Sequence, residues 1–210
     1  MDHEARWNAR YRAAGDDYLF GIEPNHFLAR RAHLFQDGHT ALSVADGEGR
    51  NSVWLAEQGL KVTAVEISPI AVAKARKLAA GRGVEVNFAV VDLLAPDWPP
   101  AAAENAFDWV VAIFIQFANA SERPRQFAAM KQATRPGGRI LLQGYTPRQL
   151  EYKTGGPPFV ENLYTPEILR AAFPDWTFEE LVEYEDEIAE GSGHRGRSAL
   201  IGMVARKAQA

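Results

Sequence analysis

Five short apolar runs alternate with helical segments up to Tyr145, and this alternation constrains the fold more than any other feature. The runs are TALSVA, KVTAVEI, VEVNFAVV, FDWVVAIFI and RILLQGY. They are rich in Val, Ile and Ala, and TALSVA is nearly all apolar, the pattern of a buried strand of a parallel sheet. Between them lie helical stretches with recognisable ends. RNSVWLAEQ is closed by Gly59. PIAVAKARKLAA starts at Ser68 as cap and Pro69 as first residue, and ends near Gly81 or Gly83. SERPRQFAAMKQATR carries Pro124 in its first turn, and PGG is expected to break it. PDWPPAAAEN reads as a proline-rich loop. A strand–helix–strand order of this kind implies a parallel sheet covered on both faces.

The two ends of the chain have a different character. Residues 4–14 form a helix with Trp7 and Tyr11 on one face, and Pro24 opens a second helix over NHFLARRAHLF. After the loop at GGPP, Thr165 caps the short helix TPEILRAAF. LVEYEDEIA then alternates, with Glu183, Glu185 and Glu187 on a solvated face that discourages edge-to-edge pairing. GSGHRGR turns the chain into a last strand, SALIGMVARK, and so short a connection requires an antiparallel pair. The expected fold is α/β and doubly wound: a mostly parallel seven-stranded sheet with an antiparallel C-terminal strand pair. The whole chain, 1–210, reads as one domain. Within it, 1–38 is an N-terminal helical cap, 39–145 a cofactor-binding core and 146–210 a substrate-side region.

Composition narrows the function classes. A net charge of −4 and the lack of a basic run argue against a nucleic-acid partner. No apolar stretch approaches the roughly 20 residues of a membrane span. Cysteine is absent, which removes disulfides, thiolate metal sites and a cysteine nucleophile and fits a reducing, cytoplasmic setting. The five histidines are scattered without a compact ligand pair, so no metal site is expected.

Ligands of open α/β sheets bind beyond the carboxyl ends of the strands, at the switch point. The first such end is Ala45-Asp46-Gly47, and Gly47 and Gly49 let a ligand approach the backbone. Glu66 ends the second strand about twenty residues on, where a carboxylate accepts hydrogen bonds from both hydroxyls of a ribose. Asp92 ends the third strand, beside the place of an adenine. A dinucleotide-binding turn has a third glycine for close helix packing; here Ser52 stands there. Asp46 and Glu48 are unwelcome beside a pyrophosphate and welcome beside a sulfonium and an ammonium group. The turn therefore favours S-adenosylmethionine over NAD. An NAD-dependent oxidoreductase and a non-catalytic S-adenosylmethionine-binding protein remain as alternatives.

With these residues in view, the chain resembles the class I S-adenosylmethionine-dependent methyltransferases, and among them the small tellurite-resistance-like branch. The likeness rests on SVADGEGRNSVWLAEQG, VTAVEIS, Asp92-Leu93 and RPGGRILLQGY, and extends to WNARYRAAGDDYLFGIEPNHFL, TGGPP and GHRGRSALI. The family's first motif is usually D-x-G-C-G-x-G. Here Ser43, Ala45 and Asp46 stand where Asp, Gly and Cys are common, and Asp46 is the replacement for the missing acid. The resemblance implies a Rossmann-like methyltransferase fold, S-adenosylmethionine as cofactor and methyl transfer to a small-molecule acceptor. It also implies cofactor contacts from Ala45, Asp46, Gly47, Gly49, Asn51, Glu66, Ile67, Asp92, Leu93 and Ile113. Tyr11, Tyr18 and Arg195 are candidates for the substrate pocket, and His194 is the candidate catalytic residue, as a base or, with Arg195, as a binder of an anionic acceptor. A base is needed for an amine or hydroxyl acceptor, and not for a thiolate or a reduced tellurium or selenium anion.

Overall fold

A computed structural model describes residues 3–191 and 193–209. The five apolar runs form β1 (Thr40–Val44), β2 (Lys61–Glu66), β3 (Val86–Val90), β4 (Phe107–Ile113) and β5 (Thr134–Tyr145). Two long strands, β6 (Trp176–Glu190) and β7 (His194–Lys207), complete one seven-stranded sheet of order β3-β2-β1-β4-β5-β7-β6. β1 to β5 are mutually parallel, and β7 runs antiparallel to both β5 and β6. The strand order reverses between β1 and β4, which is the switch point of this sheet.

The helices are α1 (His3–Ala13), α2 (His26–Ala29), α3 (Arg50–Glu57), α4 (Pro69–Arg82), α5 (Arg123–Ala133), α6 (Gln149–Tyr152) and α7 (Pro166–Ala172). Alternate strand residues face opposite layers, as a pleated strand requires. Val110, Ala112, Ile140 and Leu142 pack with Phe127 and Met130 of α5 and Leu169 of α7. Trp109, Val111 and Leu141 pack on the other face with Phe27 and Leu28 of α2 and Leu55 of α3. Each fully buried side chain of this size contributes about 1.5–3 kcal/mol.

The local signals at helix ends are realised. Ser68 Oγ accepts from the Ala71 N–H at 3.2 Å, Thr165 Oγ1 accepts from the Ile168 N–H at 3.3 Å, and Gly83 ends α4 with φ +68°. Three local expectations are corrected. PGG does not precede the fifth strand but lies inside β5: a register shift against β4 between Phe107 and Trp109 accommodates it, with Gly137 at φ +73°. The helix expected over NHFLARRAHLF is short, because α2 stops at Ala29 and a separate 3₁₀ turn covers Ala32–Leu34. His194 is not in a loop; it is the first residue of β7, paired in register with Glu190.

β6 is the exposed edge of the sheet, and its acids are partnered as well as solvated. Glu179 meets Arg139 at 2.7 Å, Asp186 meets Arg30 at 2.9 Å, and Glu180 pairs with Arg31. Surface pairs of this kind add at most about 1 kcal/mol each, and a charged edge still resists pairing with another strand. Among the described residues no helix is long and apolar enough to cross a membrane. Nor could any group of three or more His, Asp or Glu among them hold a metal ion.

The N-terminal segment is seated on the sheet by a close approach. A Cβ on Gly202, in the middle of β7, would lie 2.0 Å from Cε2 of the buried Phe27 ring. Gly202→Ala is therefore expected to lower the unfolding free energy by about 1–3 kcal/mol through overpacking, read as a lower urea midpoint with an unchanged slope.

Candidate cofactor and acceptor site

One cavity of about 280 Å³ opens at the carboxyl ends of β1, β2 and β4. It sits at the lower edge of the roughly 300–1,000 Å³ usual for small-molecule sites. Its first wall is the turn after β1. Ala45 takes a left-handed φ of +48°, unfavourable by about 1–2 kcal/mol for a residue with a Cβ. The Asp46 N–H donates to the Val65 carbonyl at 3.1 Å, which ties the turn to β2. The Asp46 carboxylate accepts from Ser43 Oγ at 2.7 Å and Ser52 Oγ at 2.5 Å. The departures from the usual motif thus form one unit: two serines hold one buried acid. Burial raises the Asp46 pKa, and the two hydroxyls oppose that rise.

Glu66 ends β2 inside the cavity. Its Oε2 accepts from the Gly47 N–H and its Oε1 from the Ser68 N–H, both at 3.0 Å. Each oxygen keeps a further lone pair, which suits a pair of neighbouring hydroxyls. Burial pushes the Glu66 carboxyl up to about 7, against the pull of the Ser68 and Gly47 N–H groups. Tyr11 of α1 closes over the same turn, and a Cβ on Gly47 would meet its Oη at 2.9 Å. Burial and the nearby Glu66 charge hold the Tyr11 hydroxyl well above its ordinary pKa.

Ile67, Asp92, Leu93 and Ile113 line the cavity with Ala45, Asp46, Gly47, Asn51 and Glu66. Asp92 Oδ1 accepts from the Leu94 N–H at 2.9 Å, and Asn51 Oδ1 accepts from the Asn25 N–H at 2.9 Å. Gly49 lies outside. Its φ is +92°, and a Cβ there would come 2.7 Å from the Ala75 Cβ, so this glycine lets α3 and α4 pack closely. Glu48 is also turned away: it meets Lys74 Nζ at 2.8 Å and accepts from the Leu19 N–H at 2.8 Å. Asp46 alone supplies the turn's negative charge to the cavity.

The far end of the cavity is aromatic. Trp7, Phe20, Phe114, Tyr145 and His194 line it. The His194 ring is stacked between Phe20 and Phe114, with centroids 4.6 and 4.3 Å away, and its Nδ1 lies 2.7 Å from Tyr145 Oη. Desolvation, followed by the charges of Arg50 and Arg10, lowers the His194 pKa to about 3. Burial raises that of Tyr145. Tyr11 and His194 thus share the cavity with the residues at the ends of β1, β2 and β3, and Gly155–Pro158 of the TGGPP segment border it. Tyr18 does not: its Oη donates to the Lys74 carbonyl at 3.2 Å, and its ring packs beside Val53 and Leu78. Arg195 is exposed on β7, opposite Ala189. Sequence reasoning passed over Phe20 and Arg50. Phe114 was legible as the carboxyl end of the fourth strand, and it holds φ +55° immediately after β4, a strained position of the kind found at functional sites. Arg50 had a local signal: a charged residue directly after the glycine turn, on the first turn of a helix.

The Glu66 pKa sets a pH dependence. A carboxyl raised from 4.5 to about 7 stabilises the fold below its unfolded value and loses that contribution as pH rises through 7. The loss is of order 3 kcal/mol in the ligand-free protein. Thermal unfolding of the ligand-free chain should therefore weaken from pH 5 to pH 8, and Glu66→Gln should flatten that part of the curve. A bound diol favours the carboxylate, so adenosyl-ligand affinity should rise over the same range, a rise the variant lacks in calorimetric titration.

The chain is similar to known methyltransferases and to solved structures of the same fold. Residues 41–138 match the methyltransferase-domain family. Hemagglutinin 1 of Eikenella corrodens is 27% identical over 194 residues, covering 89% of this chain and 61% of that protein. The demethylmenaquinone methyltransferase of Thermus thermophilus is 32% identical over 108 residues, covering 50% of this chain and 47% of that enzyme. The chain spans about half to three-fifths of the length of the curated relatives it matches. A solved structure from work on conversion of a disulfide bond into a thioacetal group during echinomycin biosynthesis superposes with a TM-score of 0.79. It is 21% identical, covers 98% of this chain and 92% of that one, and shares the fold. Over residues 41–138 the chain is thus similar to a methyltransferase domain, and solved methyltransferases share its fold.

Proposed function

We propose that this protein transfers the methyl group of S-adenosylmethionine to a small-molecule acceptor. The observation that carries the reading is one cavity lined both by the buried Glu66 carboxylate, which holds the Gly47 N–H, and by a cluster of stacked rings. The residues fit the cofactor. Glu66 suits the ribose hydroxyls, Ile67, Asp92 and Leu93 the adenine, and Gly47 allows approach to the backbone. Asp46 suits the positive charge of the amino-acid end. Bound there, the cofactor supplies an activated methyl group, so the chain's own task is to orient the acceptor and exclude water.

His194 and Tyr145 are the residues of the acceptor end. A phenol that keeps its proton donates to Nδ1, and the neutral imidazole then carries its hydrogen on Nε2. His194 in this state is a hydrogen-bond donor to the acceptor rather than a base. A pKa near 3 makes it a weak proton acceptor at neutral pH, which favours acceptors that arrive as nucleophiles, such as a thiolate or another anion. The stacked Phe20 and Phe114 rings hold the imidazole in place. Membership of the tellurite-resistance-like branch rests on the N-terminal WNARYRAAGDDYLF segment and on GHRGR. The absence of cysteine supports a cytoplasmic setting, and the net charge of −4 supports a small-molecule rather than a nucleic-acid partner. The methyltransferase from Thermus thermophilus acts on demethylmenaquinone, which is also a small molecule.

S-adenosylhomocysteine at about a hundredfold excess over its dissociation constant should stabilise the protein by about 2.7 kcal/mol, and NAD should not. An absence of stabilisation by any adenosyl ligand would defeat the reading. Once an acceptor is found by screening for S-adenosylhomocysteine release, His194→Ala should lower kcat/KM by about 10- to 100-fold while cofactor affinity stays within about twofold. Between pH 5 and 8 the wild-type profile should show no ionisation that the variant removes. Such an ionisation near 6.5 would mean that His194 works as a base.

A further inference from the structure

We propose that the segment Gly155–Val160 is a docking rim for the apolar body of the methyl acceptor. The acceptor is then an organic nucleophile carrying an aryl or alkyl body, and not a small inorganic anion. The inference rests on the methyl-transfer reading and deepens it by naming the acceptor class.

Phe159 and Val160 are the most exposed large apolar side chains among the described residues, each at 59%. They are adjacent, and Phe159 lines the cavity together with Pro157 and Pro158. From Gly155 to Val160 the sequence GGPPFV has no polar side chain, and its two prolines bring no backbone N–H. Single exposed apolar residues are ordinary on a protein surface, whereas a contiguous run at the edge of a cavity marks a binding groove. The run is held in place from both sides. Gln149 Nε2 donates to the Gly155 carbonyl at 3.1 Å, and Asn162 Nδ2 donates to the Gln116 carbonyl at 3.0 Å.

The seat of the segment assigns its occupant. A Cβ on Gly156 would lie 3.0 Å from Cδ2 of the Tyr145 ring, so the segment rests directly on the phenol that meets His194 Nδ1. The rim therefore continues the acceptor end of the cavity. The cavity itself, at about 280 Å³, is at the lower edge for small-molecule sites. Once an adenosyl cofactor is bound there, the reacting end of an acceptor can enter, but a body of more than a few atoms must lie across the mouth. On this side it meets two prolines, Phe159 and Val160. An apolar body gains by covering them, and a strongly hydrated anion gains nothing from surface without donors. A protein seated permanently on Phe159 would close the mouth that turnover needs open.

The test uses the protein saturated with S-adenosylhomocysteine, so that no turnover intervenes, and a series of para-alkyl thiophenols from methyl to butyl. These are titrated calorimetrically under reducing conditions. Affinity should rise about two- to fourfold per added methylene. Phe159→Ser/Val160→Ser should flatten that rise. Both side chains are exposed, so the double variant should keep its unfolding midpoint and bind S-adenosylhomocysteine within about twofold of wild type. Affinity that does not change with chain length, or no binding by any member of the series, overturns the proposal. So does a rise that the double variant retains, which would put the apolar body elsewhere. A wild-type dimer and a monomeric double variant in sedimentation, with no chain-length dependence in either, would assign the patch to a second copy of the chain instead. Failure of the wild-type protein to bind S-adenosylhomocysteine is read in the first titration; it defeats the cofactor reading and takes this inference with it.

Discussion

The hydrogen bond from the Gly47 N–H to the Glu66 carboxylate is the constraint around which the site is organised. It joins the end of β2 to the turn after β1, the strand beside which the sheet order reverses. It also requires that the carboxylate remain in a buried position, at the cost of a pKa near neutrality. Tyr11 can close over this turn only because Gly47 has no Cβ. The N-terminal helix is thereby brought over the cavity, although it contributes no strand to the sheet.

A second buried node works at the opposite wall. Glu190 draws together Arg50 of α3, Asn25 before α2 and the end of β6. Asn25 Nδ2 also donates to Gln143 of β5 at 2.6 Å. Four segments distant in sequence thus meet in one polar cluster within an otherwise apolar interior. Breaking one partner of such a cluster is costly, because the remaining charge stays buried. The two nodes bring buried acids and a guanidinium to a cavity whose rings stack where β4, β5 and β7 end, and Glu190 of the second node pairs in register with His194.

Much of this was legible before any coordinates. The alternation of apolar runs and capped helices led to the parallel sheet, since buried strands and amphipathic helices leave different periodicities. Glu66 and Asp92 were found as strand ends, and strand ends are marked by where an apolar run stops. The tail was recognised as antiparallel because its connection is too short for a crossover. Local reading failed where the deciding contact is remote. Gly49 was taken for a ligand-facing glycine, and it is the Ala75 backbone and Cβ that require it. Glu48 was counted with Asp46 until Lys74 drew it outward. Tyr18 and Arg195 lie close in sequence to cavity residues, yet their side chains belong to the outer surface and the α4 side.

The amino-acid sequence by itself determined the element order, the sheet class and which residues stand at the strand ends around the cavity, because these follow from periodicity, caps and spacing within a few tens of residues. Tertiary structure decided the rest. Which of the acids in the turn lines the cavity, which rings enclose His194 and which arginine keeps a buried N–H without a hydrogen-bond partner all depend on partners more than twenty residues away. A side chain's charge state and its available donors are set by burial and by those partners, and neither is a property of the residue alone.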